Sequence, residues 1–222
     1  MGGRPAGSGR GRAGVKDWPE NASTEVADFV YQLGAGTLAH EHADALAEAL
    51  CRALPWLAGE SLAGVLPLTG LSRGDGAHFV GRRSRLVLRL PLSRAAGADA
   101  LCGTTIDVAG SPLAIGPATR RPLQPVTDVV YSHCVSFDTE DEIDFLERCY
   151  DALEARKIKA NPVTGKARRL RSGTGTVHGF ALMLHGLSPT DSVRIQEQGL
   201  GEHRLRGCGM FVPHKTIHAV GE

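Results

Sequence analysis

Aromatic residues are scarce, at 5% of 222 residues, which argues against a surface built from stacking rings. Apolar runs are short: none approaches the roughly 18 uninterrupted residues that a membrane helix needs. The stretch MGGRPAGSGRGRAG at the amino end is basic and has no apolar segment, so it does not read as a secretory signal. The five cysteines (Cys51, Cys102, Cys134, Cys149, Cys208) are odd in number and show no CxxC spacing. They argue against a disulfide framework or a zinc ribbon and point to a reducing, cytoplasmic setting. No GxxxxGK[ST] loop is present, so nucleoside triphosphate binding is not expected. Net charge is also nearly absent: 25 basic residues face 24 acidic ones, and bulk charge therefore says nothing about partners. Lysine is rare, with five against twenty arginines. That bias suits bidentate phosphate contacts as well as a GC-rich genome.

What the chain has is 42% hydrophobic residues, enough for a real core, in a length that allows one or two domains. Residues 1–24 read as a flexible basic tail rich in glycine and arginine. Structure should begin with a strand at 26–33, with Phe29, Tyr31 and Leu33 on one face, broken by Gly34 and Gly36. A helix follows at 42–54, where Leu46, Ala49, Leu50, Ala53 and Leu54 recur at helical spacing before Pro55. An apolar run at 62–68, a strand at 84–90 and a hairpin turning at Ala109-Gly110-Ser111 complete the first half. Residues 93–100 are the only candidate for its second helix. After a linker at Arg120-Arg121-Pro122 the order recurs. A strand is expected at 128–137 and a helix at 140–158, with Ile143, Leu146, Cys149, Tyr150 and Leu153 as its buried stripe. A strand at 177–187, a helix opened by Ser188-Pro189-Thr190-Asp191 and a short strand at 210–212 follow. Strand, helix and strands, twice over, imply an α+β chain of two tandem ferredoxin-like (RRM-like) βαββαβ domains, at 25–119 and 120–222.

Charge is segregated. Asp138, Glu140, Asp141, Glu142, Asp144 and Glu147 crowd the start of the 140–158 helix, where the helix dipole favours acid. Arg82, Arg83, Arg85, Arg89 and Arg94 form one basic cluster. Arg156, Lys157, Lys159, Lys166, Arg168, Arg169 and Arg171 form another. Such density on a nearly neutral chain suggests a polyanion partner, with solvated strand and loop faces as the alternative. The most unusual segment is Gly199-Leu200-Gly201-Glu202-His203-Arg204-Leu205-Arg206-Gly207-Cys208-Gly209-Met210-Phe211-Val212-Pro213. Four glycines around two arginines allow close backbone approach, and successive amides there could form an anion-binding nest, though glycine loops are often only turns.

This segment resembles the carboxyl-terminal glycine-rich signature of the CRISPR-associated repeat-processing endoribonucleases of the RAMP superfamily, and is most similar to the MYXAN-type branch. Weaker matches accompany it: Glu41-His42-Ala43-Asp44-Ala45-Leu46 at a helix start, with Glu41 in place of the family's Asp; Ser84, Leu86, Arg89 and Pro91; and Gly186-Leu187, Ser192 and 195–201. The likeness extends from about Val26 to Pro213. It implies binding of a CRISPR repeat RNA hairpin and metal-independent cleavage of the precursor at its repeats, with no cofactor, by attack of the RNA's own 2′-OH. The products would be a 2′,3′-cyclic phosphate and a 5′-OH, DNA would not be cut, and other CRISPR effector-complex subunits would be partners. His42 is the expected proton-transfer residue, with an exposed helix-start histidine as the alternative. His40 is its rival, two residues away and so on a different helical face. Tyr31 could orient the histidine or the 2′-OH, or simply be a core tyrosine. Arg82, Arg83, Arg85, Arg168, Arg169, Arg171, Gly199, Gly201, His203, Arg204, Arg206, Gly207 and Gly209 are the expected RNA contacts. His78, His133, His178, His185, His203, His214 and His218 share no metal spacing and read as packing or RNA-surface residues.

Three other readings compete. A non-catalytic RNA-binding subunit could use the same fold. His40-Glu41-His42 superficially imitates the HUH nickase motif, but its middle residue should be hydrophobic. A two-histidine phosphoesterase needs two HxT motifs, and only His214-Lys215-Thr216 is present.

Overall fold

The computed structural model describes residues 24–74, 76–125, 127–173 and 175–214. The expected basic tail, apart from Thr24, and most of His214-Lys215-Thr216 lie outside these residues, as does His218. The first lobe runs β1 (Val26–Leu33), β2 (Gly36–Ala39), α1 (Ala43–Ala53), β3 (Gly64–Val65), β4 (Ser72–Gly74), β5 (Ala77–Val80), β6 (Arg85–Pro91), α2 (Ala95–Asp99), β7 (Thr105–Val108) and β8 (Ser111–Pro122). The second runs β9 (Val130–Val135), α3 (Glu142–Ala155), β10 (Asn161–Ser172), β11 (Gly175–His185), α4 (Pro189–Gln198) and β12 (Val212–Pro213). The main sheets have the orders β3-β6-β1-β8-β7 and β10-β11-β9-β12, all antiparallel. Taken with the helices, each contains the βαββαβ order of a ferredoxin-like unit. Among the described residues no helix is long and apolar enough to cross a membrane.

Each lobe has its own core. On β1 the alternation sends Ala27, Phe29, Tyr31 and Leu33 into the first core, where they meet Leu46, Ala49 and Leu50 of α1. The second core is centred on Phe145, whose ring lies 4.8 Å from Phe180 and 5.8 Å from Phe137. Asp141 starts α3 by accepting from the amides of Ile143 and Asp144, and Ser188 caps α4 through the amide of Asp191. The hairpin turn forms where Ala109 (φ 50°) and Gly110 (φ 82°) both adopt left-handed backbone.

Two expectations need correction, and two elements add to the reading. The stripe on α3 is Phe145, Cys149 and Leu153, while Ile143 and Tyr150 are exposed. Arg120-Arg121-Pro122 is not a linker: it ends β8, opposite Phe29, Asp28 and Ala27, so the passage between lobes begins after Pro122. The basic stretch 161–172 is the long strand β10, in register with β11. A third sheet, β2-β5-β4, has no counterpart in the sequence reading; it stands beside the turn that leads into α1.

Candidate active site between the two lobes

The turn from β2 into α1 carries His40, Glu41 and His42. His42 sits at the N-cap and its Nδ1 lies 2.9 Å from the Ala39 carbonyl oxygen. A carbonyl only accepts, so Nδ1 carries a proton, which leaves Nε2 as the ring nitrogen available for proton exchange. Because this segment is a turn, His40 and His42 are not separated as they would be on a helix; both reach His78 of β5. His40 Nδ1 is 3.2 Å from His78 Nε2, with the rings edge to face at 4.5 Å. The His42 ring stands perpendicular to that of His78 at 5.5 Å.

These three imidazoles line one wall of a cleft of about 520 Å³. The second lobe supplies the opposite wall: His133 and Cys134 of β9, Arg169, Leu170 and Arg171 of β10, and Arg206 and Gly207 of the glycine-rich segment. Arg171 pairs with Glu41 at 3.1 Å and Arg169 with Glu140 at 3.0 Å, all four side chains largely exposed. Exposed pairs of this kind are worth at most about 1 kcal/mol, so either guanidinium can exchange its carboxylate for a phosphate. Arg168 donates to the His133 carbonyl at 3.2 Å.

Asp44, in the first turn of α1, ties the walls together. It accepts from the Gly173 amide at 2.8 Å, at the tip of the β10–β11 hairpin, and from Arg206 Nε. Partial burial pushes its carboxyl upward, but the Gly173 amide and the Arg206 guanidinium outweigh this and hold it below the ordinary aspartate range. Arg206 also bonds His203 Nδ1 at 3.1 Å. A second tie lies deeper. Arg89 is fully buried, forks onto Asp28 at 2.7 and 3.1 Å, and donates to the carbonyls of Gln196 and Phe211 in the second lobe at 2.9 and 2.7 Å.

The structure therefore redistributes the expected site residues. His40, His42, Arg169, Arg171, Arg206 and Gly207 come together in the cleft. Tyr31 does not: it is fully buried, its hydroxyl donates to the Ala98 carbonyl at 2.9 Å, and burial raises its pKa, so it is a core tyrosine. Arg204 is a brace, donating to the carbonyls of Leu62, Ala63 and Glu197; burial, with the charges of Arg89 and Arg156, brings its pKa down to about 10. Arg89 leaves the basic cluster for the same reason. Arg82 and Arg83 are exposed at the β5–β6 turn, outside the cleft lining, and Arg85 is tied to the carbonyls of Arg82 and Ser84.

Several amides of the glycine-rich segment are already engaged within the protein. The amides of Gly199, Glu202, Gly207, Cys208 and Gly209 all donate to backbone carbonyls of the protein. Its glycines serve packing: a Cβ on Gly201 (φ 74°) would stand 2.3 Å from the Ser136 carbonyl oxygen, and one on Gly209 (φ 66°) 2.2 Å from that of Leu200. The sequence reads His78 only as a packing or RNA-surface residue, because its short strand has no periodic pattern to place it in the cleft. Among the described residues no group of three or more His, Cys, Asp or Glu is arranged to hold a metal ion.

Comparison with known proteins agrees with this architecture. A family model described as Cas6 Crispr matches residues 27–216. The CRISPR-associated endonuclease Cas6 of Myxococcus xanthus is 36% identical over 200 residues, which span 90% of this chain and 86% of that protein. A solved structure of a CRISPR associated protein Cas6 superposes with a TM-score of 0.62 at 12% identity, covering 86% of this chain and all (100%) of the other. A structure described as an RAMP protein binding different RNA substrates gives 0.60 at 13% identity, over 83% of this chain and 98% of that one. A Cas6-related protein from Pyrococcus furiosus gives 0.59 at 10%, over 84% and 98%. At such identities the structural likeness speaks for the fold.

Proposed function

The chain belongs to the Cas6 family, and on that premise we propose that it is an endoribonuclease that cleaves CRISPR precursor RNA within its repeats, needs no metal ion, and retains the repeat hairpin after cutting. The observation that carries this reading is the His42 ring, anchored through Nδ1, in a cleft walled by arginines from the other lobe.

The chemistry follows from the substrate. RNA supplies its own nucleophile, the 2′-OH beside the scissile phosphate. His42 Nε2 takes the 2′-hydroxyl proton as the 2′-oxygen attacks phosphorus in line with the departing 5′-oxygen. The new 2′-O–P bond forms, the P–O5′ bond breaks, and the products are a 2′,3′-cyclic phosphate and a 5′-hydroxyl. Arg169 and Arg171 balance the charge that builds on the phosphorane. Much of the acceleration is positioning, which a cleft held by Asp44 and Arg89 supplies. The arginines of β10 and the exposed Arg82 and Arg83 contact the hairpin's backbone, and the RNA's shape supplies recognition. Tight retention would make the protein a subunit of a larger guide-RNA complex. DNA, lacking the 2′-OH, would bind without being cut.

The test is cleavage in EDTA of the host repeat RNA, unmodified and with a single 2′-deoxy residue at the cut. The reading expects cutting of the first and none of the second, with equal binding. Cutting of the deoxy substrate, or activity that EDTA abolishes, sinks it.

A further inference from the structure

We infer that His78 positions a second proton-transfer group: it holds the His40 imidazole so that His40 protonates the 5′-oxygen leaving group while His42 deprotonates the 2′-hydroxyl. The inference rests on the cleavage reading above and adds the half of the proton traffic that one histidine leaves unassigned.

His40 is exposed on a turn and free to adopt many rotamers unless something fixes it. What fixes it is the 3.2 Å bond between its Nδ1 and His78 Nε2. The backbone of His78 is held on both sides. It lies opposite Leu38 of β2 on one side and Arg73 of β4 on the other, in the middle of the small three-stranded sheet. That sheet brings a partly buried imidazole against the rings of both His40 and His42. The bond also sets the chemistry. Only one of the two facing nitrogens can carry the bridging proton. For His40 to act as the acid, its Nδ1–H donates to His78 Nε2 while its own Nε2 carries the second proton. Its Nε2–H then points away from His78 and is the acid. During cleavage this proton passes to O5′ as the P–O5′ bond breaks, and His40 is left neutral with Nδ1–H still bonded to His78. His42 gains the 2′-hydroxyl proton, so protons balance within the site, and exchange with water resets both rings. The charged groups around the pair are Glu41 with its partner Arg171, and Arg169 and Arg206 across the cleft.

The experiment is single-turnover cleavage of the repeat RNA by the full chain, comparing an ordinary 5′-oxygen with a bridging 5′-sulfur at the cut. A thiolate leaves without an acid. His78→Ala and His40→Ala should each slow cleavage of the oxygen substrate by roughly 10²-fold, the usual scale for one acid–base group. Both should recover to within a few-fold of wild type on the sulfur substrate. His42→Ala should be slow on both, and His78→Gln, which keeps a hydrogen-bonding group near Nδ1 of His40, should be intermediate on oxygen. If His78→Ala is equally impaired on both substrates, the residue only supports the fold. If it cuts the oxygen substrate at the wild-type rate, it has no role. Either result overturns the inference and leaves the cleavage reading standing; an inert wild type sinks both.

Discussion

Replacing Arg89 by alanine should cost more stability than any other arginine change in the chain. The guanidinium makes two bonds to Asp28 and two to carbonyls of the opposite lobe, all within 2.7–3.1 Å. Its side chain is 1% exposed and that of Asp28 13%. Truncation leaves a nearly buried carboxylate and two carbonyls without their donor. Breaking such a pair from one side costs about 3–5 kcal/mol. The control is Arg120→Ala, which removes an equally short bond, 2.6 Å to Asp99, between side chains that are half exposed; about 1 kcal/mol or less is expected there. Removing both charges in Asp28→Leu/Arg89→Met should recover only part of the loss, because the carbonyls of Gln196 and Phe211 stay unpaired at about 1–3 kcal/mol each. Urea unfolding followed by far-ultraviolet circular dichroism reads all three variants. If Arg89→Ala shifts the transition no more than Arg120→Ala, the buried strut between lobes is not the structural element described here.

Three further outcomes are expected. Tyr31→Phe removes one buried hydrogen bond, so it should cost about 1 kcal/mol of stability and leave repeat cleavage at the wild-type rate when the variant is folded. Asp44→Asn should destabilise the protein at neutral pH, and the gap should close in acid. The Asp44 carboxyl is held below its ordinary value, so its contribution is complete above about pH 4–5, where the unfolded chain is ionised, and is lost as pH falls through the lower folded value; thermal melts across pH 3–7 check this. Arg169→Ala and Arg171→Ala should each weaken repeat RNA binding and lower the slope of log affinity against log salt by about 1, the signature of one lost phosphate contact.

The parts of the fold visible in the sequence are those with a strong buried pattern. β1 alternates cleanly and is bounded by glycine, so its limits, 26–33, are read to the residue; α1 carries an apolar stripe and is found within one residue at each end, and the start of α4 is marked by Ser-Pro. β10 was read only as a basic cluster because hardly any of its residues is buried, and its strand state comes from pairing with β11. The sheet β2-β5-β4 consists of strands of three or four residues, too short for any periodicity, and with it went the role of His78. At the site, the helix start at His42 was legible from the residues around it. The fates of Arg89 and Arg204 were not, since composition cannot distinguish an arginine facing solvent from one filling a gap between lobes. Asp28 opposite Arg89 in the β1–β6 register would have been the signal, but it requires knowing the register. The glycines of residues 199–209 stand out in the sequence, but that Gly201 and Gly209 let two backbones touch is visible only in the fold.

The central claim is that an imidazole at residue 42 lets a repeat RNA cut itself. Mass analysis of the fragment ends tests it most directly, using wild-type protein and a His42→Ala variant shown to bind the repeat equally well, both in excess EDTA. The account predicts a 2′,3′-cyclic phosphate on the upstream fragment and a 5′-hydroxyl on the downstream one from wild type, and uncut RNA from the variant. A 3′-hydroxyl with a 5′-phosphate, or normal cutting by the variant, would contradict it.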